Sequence, residues 1–186
     1  KKQLIELILT NNMIKAYDYA MTFVEFPDEI ALCFNISNCP CLCEGCSESY
    51  LKENVGKEVT ESFLDSVLLP YKNYGLTLIG FMGGDSDYEA LKSLADLIHT
   101  KYKLKVGFYS GRDFINLDLA GVVDYYKYGR FILPKGEEST WLKQTCGPMN
   151  FPNSNQKIYK REANKLIDIT YRFRDKPISN LKKHIL

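Results

Sequence analysis

Four of the chain's six cysteines, Cys39, Cys41, Cys43 and Cys46, fall within eight residues. Three of them, Cys39, Cys43 and Cys46, stand in the spacing C-x3-C-x2-C. Three thiolates on one short loop can hold three corners of a cubane iron–sulfur cluster and leave the fourth iron without a protein ligand. An open iron is a place for chemistry, whereas a closed four-cysteine site is mostly structural. Two other uses of the same residues compete. All four thiols could wrap a structural zinc, or the segment could be a disulfide staple. Zinc sites usually pair two C-x2-C halves from separate segments, and here the only distant cysteine is Cys146, while His99 and His184 lack ligand-like neighbours. A chain of 186 residues can bury its own core without staples. Cys41 is an extra thiol without a ligand role, Cys33 is expected to be a small core hydrophobe, and Cys146 has no assigned use.

A cluster needs elements to hold it. Ile30–Ile36 has the apolar run of a buried strand and leads directly into the cysteine loop. Residues 60–69 have helical spacing, with Thr60 as cap, Phe63, Leu64, Val67 and Leu68 on one face, and Pro70 as stop. Leu76–Met82 is the next strand, ended by Gly83, Gly84 and Asp85. A helix follows, with Ser86 and Glu89 expected to form a capping box and Tyr88, Leu91, Leu94, Leu97 and Ile98 keeping a three-to-four spacing. Leu104–Tyr109 and Val122–Tyr128 are further strands. Strands alternating with helices imply right-handed crossovers and a parallel sheet. In such sheets the site lies beyond the carboxyl ends of the strands, where the cysteine loop, Gly83-Gly84-Asp85, Ser110-Gly111-Arg112 and Lys127 all fall.

Composition narrows the class. Hydrophobic residues make up 45 % and aromatic residues 13 %, as in a well-packed globular protein. Lys and Arg (24) nearly cancel Asp and Glu (23), so no general attraction to nucleic acid or anionic lipid is built in. No apolar run approaches bilayer length, and no signal-peptide core is seen. Reduced cysteines at this density suit the cytoplasm. The length suits one domain, divided here into a helical or extended lead-in (1–22), a core domain (23–160) and a basic tail (161–186). Residues 134–156 carry irregular backbone signals and the lone tryptophan, Trp141, expected in the core or as a partner-facing anchor.

The order strand, C-x3-C-x2-C, strand, Gly-Gly-Asp, helix resembles the radical S-adenosylmethionine enzymes. More narrowly it resembles the activating enzymes of anaerobic ribonucleoside-triphosphate reductase, a class of glycyl radical enzyme activase. The matching pieces are Phe23–Glu29, Asn35–Cys39, Glu44-Gly45-Cys46, Gly56–Thr60, Gly83-Gly84-Asp85, Tyr109–Arg112, Asp124–Gly129 and Pro152–Tyr159, the last containing Asn155 and Gln156. Together they cover roughly residues 23–160. The aspartate at the third position of Gly83-Gly84-Asp85 departs from the glutamate of most of the superfamily, and Gly45 replaces a common aromatic.

The resemblance implies a fold, two cofactors and a task. The fold is an incomplete parallel (β/α) barrel in a single α/β domain. The cofactors are a 4Fe–4S cluster ligated by Cys39, Cys43 and Cys46, and S-adenosylmethionine chelating its open iron. Cleavage of the C5′–S bond by one electron gives methionine and a 5′-deoxyadenosyl radical, chemistry that the cofactor carries while the protein places and shelters it. Backbone carbonyls at Gly83 and Gly84 would meet the methionine amine and the Asp85 carboxylate would accept from it. The adenine would lie along Gly45, Cys46 and Ser47, and Ser110, Arg112 and Lys127 would contact the methionine carboxylate or ribose. The implied partners are the large subunit of anaerobic ribonucleotide reductase, on which a glycyl radical is made, and an electron donor such as flavodoxin. The alternatives are activation of another glycyl radical enzyme, or a zinc-stabilised interaction module without catalysis.

Overall fold

A computed structural model describes residues 14–132, 155–163 and 165–174. Eight strands form one sheet in the order β3-β1-β2-β4-β5-β6-β7-β8. The strands are β1 (Lys15–Thr22), β2 (Ala31–Ile36), β3 (Lys57–Glu58), β4 (Leu78–Met82), β5 (Lys105–Tyr109), β6 (Tyr125–Tyr128), β7 (Lys157–Glu162) and β8 (Lys165–Asp168). Four helices accompany them among the described residues: α1 (Glu61–Leu68), α2 (Tyr88–Leu97), α3 (Leu117–Ala120) and α4 (Tyr171–Arg174).

The middle of the sheet is parallel, with β2, β4, β5 and β6 side by side. Both flanks are antiparallel, β1 pairing with β2 and β3 on one side, β7 with β6 and β8 on the other. This corrects the expected (β/α) barrel of the radical S-adenosylmethionine type: the chain builds an eight-stranded mixed sheet with few helices. The physical reason is the connections. A parallel neighbour needs a crossover, and among the described residues the helices that lie between strands all fall between β2 and β6. The described part of the lead-in contains β1, paired with β2, and the sheet runs on past residue 160 through β7 and β8.

Period-two alternation sorts the parallel strands onto two faces. Leu32, Phe34, Ile36, Ile79, Phe81, Val106, Phe108 and Tyr126 pack with Leu64 and Val67 of α1 and Leu91, Leu94 and Ala95 of α2 in one buried cluster. On the other face Phe26, Cys33, Leu78, Tyr109, Tyr125, Ile158 and Ile169 form a second. The Cys33 thiol is buried there as expected, and burial pushes its pKa far up. Phe26 lies flat across the sheet because Gly80 and Gly107 present no side chain: a Cβ on either would stand 2.7 or 2.3 Å from the ring.

The helix caps follow local chemistry. Thr60 Oγ1 accepts the Phe63 N–H at 3.1 Å, as the sequence predicts. For α2 the cap is Asp87, whose Oδ1 accepts the Ala90 N–H at 2.9 Å. The expected Ser86–Glu89 capping box does not form, because the chain turns into the helix one residue later. Trp141 and Cys146 lie outside the described residues.

Candidate functional site

Register brings four residues into one row at the carboxyl ends of the parallel strands. Asn35 of β2 aligns with Met82 of β4, Met82 with Tyr109 of β5, and Tyr109 with Lys127 of β6. All four line a cavity of about 450 Å³, within the size range of small-ligand sites. The loops leaving those same strand ends form its rim.

The loop after β2 carries the cysteines. It starts from backbone bonds that fix its entry: Ser37 N–H to Lys15 O, Asn38 N–H to Glu53 O and Cys39 N–H to Leu51 O, each at 2.9 Å. Left-handed backbone at Asn38 (φ 60), Leu42 (φ 47) and Gly45 (φ 68) then folds it tightly. Cys39, Cys41, Cys43 and Cys46 all line the cavity, with Cys41 and Cys43 buried and Cys39 and Cys46 half-buried. The neighbouring Cys41 lowers the pKa of Cys39, with a smaller contribution from the positive charge of Arg112. That shift favours the thiolate, the form that binds metal. Burial, with the nearby sulfurs of Cys43 and Cys39, pushes the Cys46 thiol up.

Among the described residues no three His, Cys, Asp or Glu side chains gather as a single-ion site. Bonds of about 2.3 Å to one tetrahedral zinc would draw its sulfurs to within about 4 Å of each other. In a cubane each thiolate binds a separate iron, so its ligands stand farther apart. The thiols of Cys39, Cys41, Cys43 and Cys46 line one cavity, a soft donor set of the kind that binds iron–sulfur clusters.

The loop after β4 is Gly83-Gly84-Asp85. Both glycines have positive φ (107 and 116), which other residues rarely adopt, and Gly83 N–H bonds Tyr109 O at 3.0 Å. Asp85 points inward and is 6 % exposed. Its Oδ1 accepts from Ser110 Oγ at 2.6 Å and Tyr88 Oη at 2.9 Å. Its Oδ2 accepts from the Gly111 N–H at 2.8 Å and the Cys41 thiol at 3.6 Å. A carboxylate has about four acceptor positions, so this one is filled from within the protein. The sequence expectation of Asp85 as acceptor for a ligand amine meets a carboxylate already committed.

Of the residues expected in the site, Cys39, Cys43, Cys46, Ser47, Gly83, Asp85, Ser110 and Lys127 line the cavity, while Gly45, Gly84 and Arg112 do not. Ser110 is taken up by Asp85 and by the Arg112 N–H, which its Oγ accepts at 3.0 Å. Gln156 is buried, lines the cavity and donates to Gly129 O at 3.4 Å.

Two wall residues, Glu25 and Tyr109, lie within the resembling segments Phe23–Glu29 and Tyr109–Arg112 but were not expected in the site. Tyr109 Oη donates to the Glu25 backbone carbonyl, and to Glu25 Oε2 at 3.1 Å. Lys127 Nζ stands 4.6 Å from the centre of the Tyr109 ring, a favourable cation–π placement. Lys127 is 8 % exposed. Burial lowers its pKa to about 8 against the opposing pull of Glu25, and burial likewise raises that of Glu25. The signal for Tyr109 was available: it is the last residue of its strand, in line with Met82 and Lys127.

A family model described as 4Fe-4S single cluster domain matches residues 30–146. The match takes in β2, the cysteine loop and every parallel strand. Neither the curated proteins nor the solved structures give a match to the chain.

Proposed function

The chain belongs to the 4Fe-4S single cluster domain family, and from that premise we propose that it is a radical S-adenosylmethionine enzyme that makes a glycyl radical on a partner protein. The observation that carries the reading is the composition of one cavity: a C-x3-C-x2-C loop on its rim and, on its wall, a buried lysine beside a carboxylate. A metal site with no further task needs no second, charged wall at its side.

In this reading Cys39, Cys43 and Cys46 hold a 4Fe–4S cluster through three irons. When bound and reduced, such a cluster supplies the electron that splits S-adenosylmethionine into methionine and a 5′-deoxyadenosyl radical. The chain's own residues bind and orient. Lys127, charged at neutral pH and poorly hydrated, attracts the methionine carboxylate. Backbone carbonyls at the Gly83-Gly84 turn accept from the methionine amine, and Asp85 holds the turn in place. Ser47, which lines the cavity, would lie along the adenine side. Glu25 keeps the lysine's charge balanced, and the apolar floor around Met82 excludes water.

The partner is proposed to be the large subunit of anaerobic ribonucleotide reductase, with a flavodoxin-type protein supplying the electron. In this reading a segment of that partner enters the cavity. The chemistry supplied there would remove an α-hydrogen from a glycine of that segment, leaving a glycyl radical on the partner and 5′-deoxyadenosine as product. Mixed anaerobically with a reductant, S-adenosylmethionine and that subunit, the protein should produce a glycyl radical doublet in electron paramagnetic resonance. Deoxyadenosine without a radical on the reductase would overturn the choice of partner. Neither product, from cluster-replete protein, would overturn the enzyme reading and favour a non-catalytic module.

A further inference from the structure

Cys41 stands between Cys39 and Cys43, and the chemistry proposed above leaves it without a part. Its surroundings are nevertheless the most specific of the loop. Pro40 and Leu42 on either side are exposed, whereas Cys41 is 5 % exposed. Its thiol donates to Asp85 Oδ2 at 3.6 Å, the oxygen that also accepts the Gly111 N–H at 2.8 Å. A Cβ added to Gly111 would stand 2.8 Å from Cys41 Sγ and 3.2 Å from Cys41 Cβ. Gly111 does not have positive φ, so its backbone has no need of glycine. The missing side chain is the seat of the sulfur.

We propose that Cys41 is a positioning residue: a peg seated on Gly111 and latched by Asp85, which fixes where Cys39 and Cys43 stand over the cavity. The inference rests on the reading of Cys39, Cys43 and Cys46 as the cluster ligands. The loop needs such a peg. Leu42 is held at φ 47 with its side chain 68 % exposed, a strained backbone that persists only when neighbours over-determine it. Asp85 links the peg to the ends of β4 and β5 at once, because its other oxygen holds Ser110 and Tyr88.

The test is a size exchange in the full chain, reconstituted anaerobically with iron and sulfide. Gly111→Ala alone drives a methyl group into the Cys41 sulfur. It should speed loss of iron to a chelator by about tenfold, the range of coupling between touching residues, and shift the resonance spectrum of the reduced cluster. Adding Cys41→Ala removes the sulfur and should bring both readouts back towards the native protein. Cys41→Ala alone should keep its four irons while losing them somewhat faster. If Gly111→Ala fails to fold, the double variant must still fold, since the clash is gone. A harmless Gly111→Ala, or a double variant as impaired as the single, would overturn the peg. Complete iron loss from Cys41→Ala, matching Cys43→Ala, would instead overturn the underlying ligand assignment. None of these readouts requires S-adenosylmethionine, so they stand apart from the proposed activity.

Discussion

Cys39 has its pKa lowered by the neighbouring Cys41, a shift towards the form that binds metal. If Cys39, Cys43 and Cys46 are the cluster ligands, as proposed, replacing any one with alanine deletes a ligand, so each variant should lose the four-iron absorption and most of its bound iron. Lys127 makes a second prediction at this scale. It faces Tyr109 and Glu25, and desolvation lowers its pKa to about 8. The ammonium is therefore present below that pH and lost above it. Affinity for S-adenosylmethionine, followed by calorimetry, should be steady near neutral pH and fall as pH rises through about 8. Lys127→Met should weaken binding by about 10- to 100-fold, the worth of one charge-assisted bond, and abolish the pH dependence. An unchanged affinity would remove Lys127 from the site. The cysteines were legible in the sequence because their spacing is local. Glu25 was not, because it reaches the cavity only by tertiary packing, from a segment without periodic signal.

At the scale of elements the sheet and its helices make sharper claims than the site does. Asp87→Ala should cost about 1 kcal/mol in urea denaturation, as loss of a helix cap does, and Ser86→Ala much less. Equal effects would restore Ser86 as the cap. Gly107→Ala places a methyl 2.3 Å from the Phe26 ring and should destabilise by about 1–3 kcal/mol, the usual cost of overpacking. Phe26→Leu in the same chain should recover part of that loss, and no recovery would place the strain elsewhere. The parallel strands were readable because they are buried on both faces and appear as continuous apolar runs. The flanks were harder. In β1, Asp18 and exposed tyrosines stand among half-buried positions, and β7 carries four charged residues in six, Lys157, Lys160, Arg161 and Glu162. Flanking strands of that kind resemble solvated tail in the sequence, since their pairing comes from register with neighbours rather than from their own composition.

For the whole molecule, the expected barrel gives way to an open mixed sheet, yet the strand ends still bring the cysteine loop, the glycine turn and Lys127 to one cavity. Convergence at the carboxyl edge depends only on the four parallel strands, which explains why the site was more legible than the fold around it. The central claim is that the cluster in this cavity has an open iron that takes S-adenosylmethionine. The most direct measurement is electron paramagnetic resonance of the reconstituted, reduced protein before and after S-adenosylmethionine is added, with the products assayed in the same sample. A changed cluster signal accompanied by 5′-deoxyadenosine and methionine is the predicted result. An identical signal and no products, from protein carrying four irons per chain on three cysteines, would contradict it.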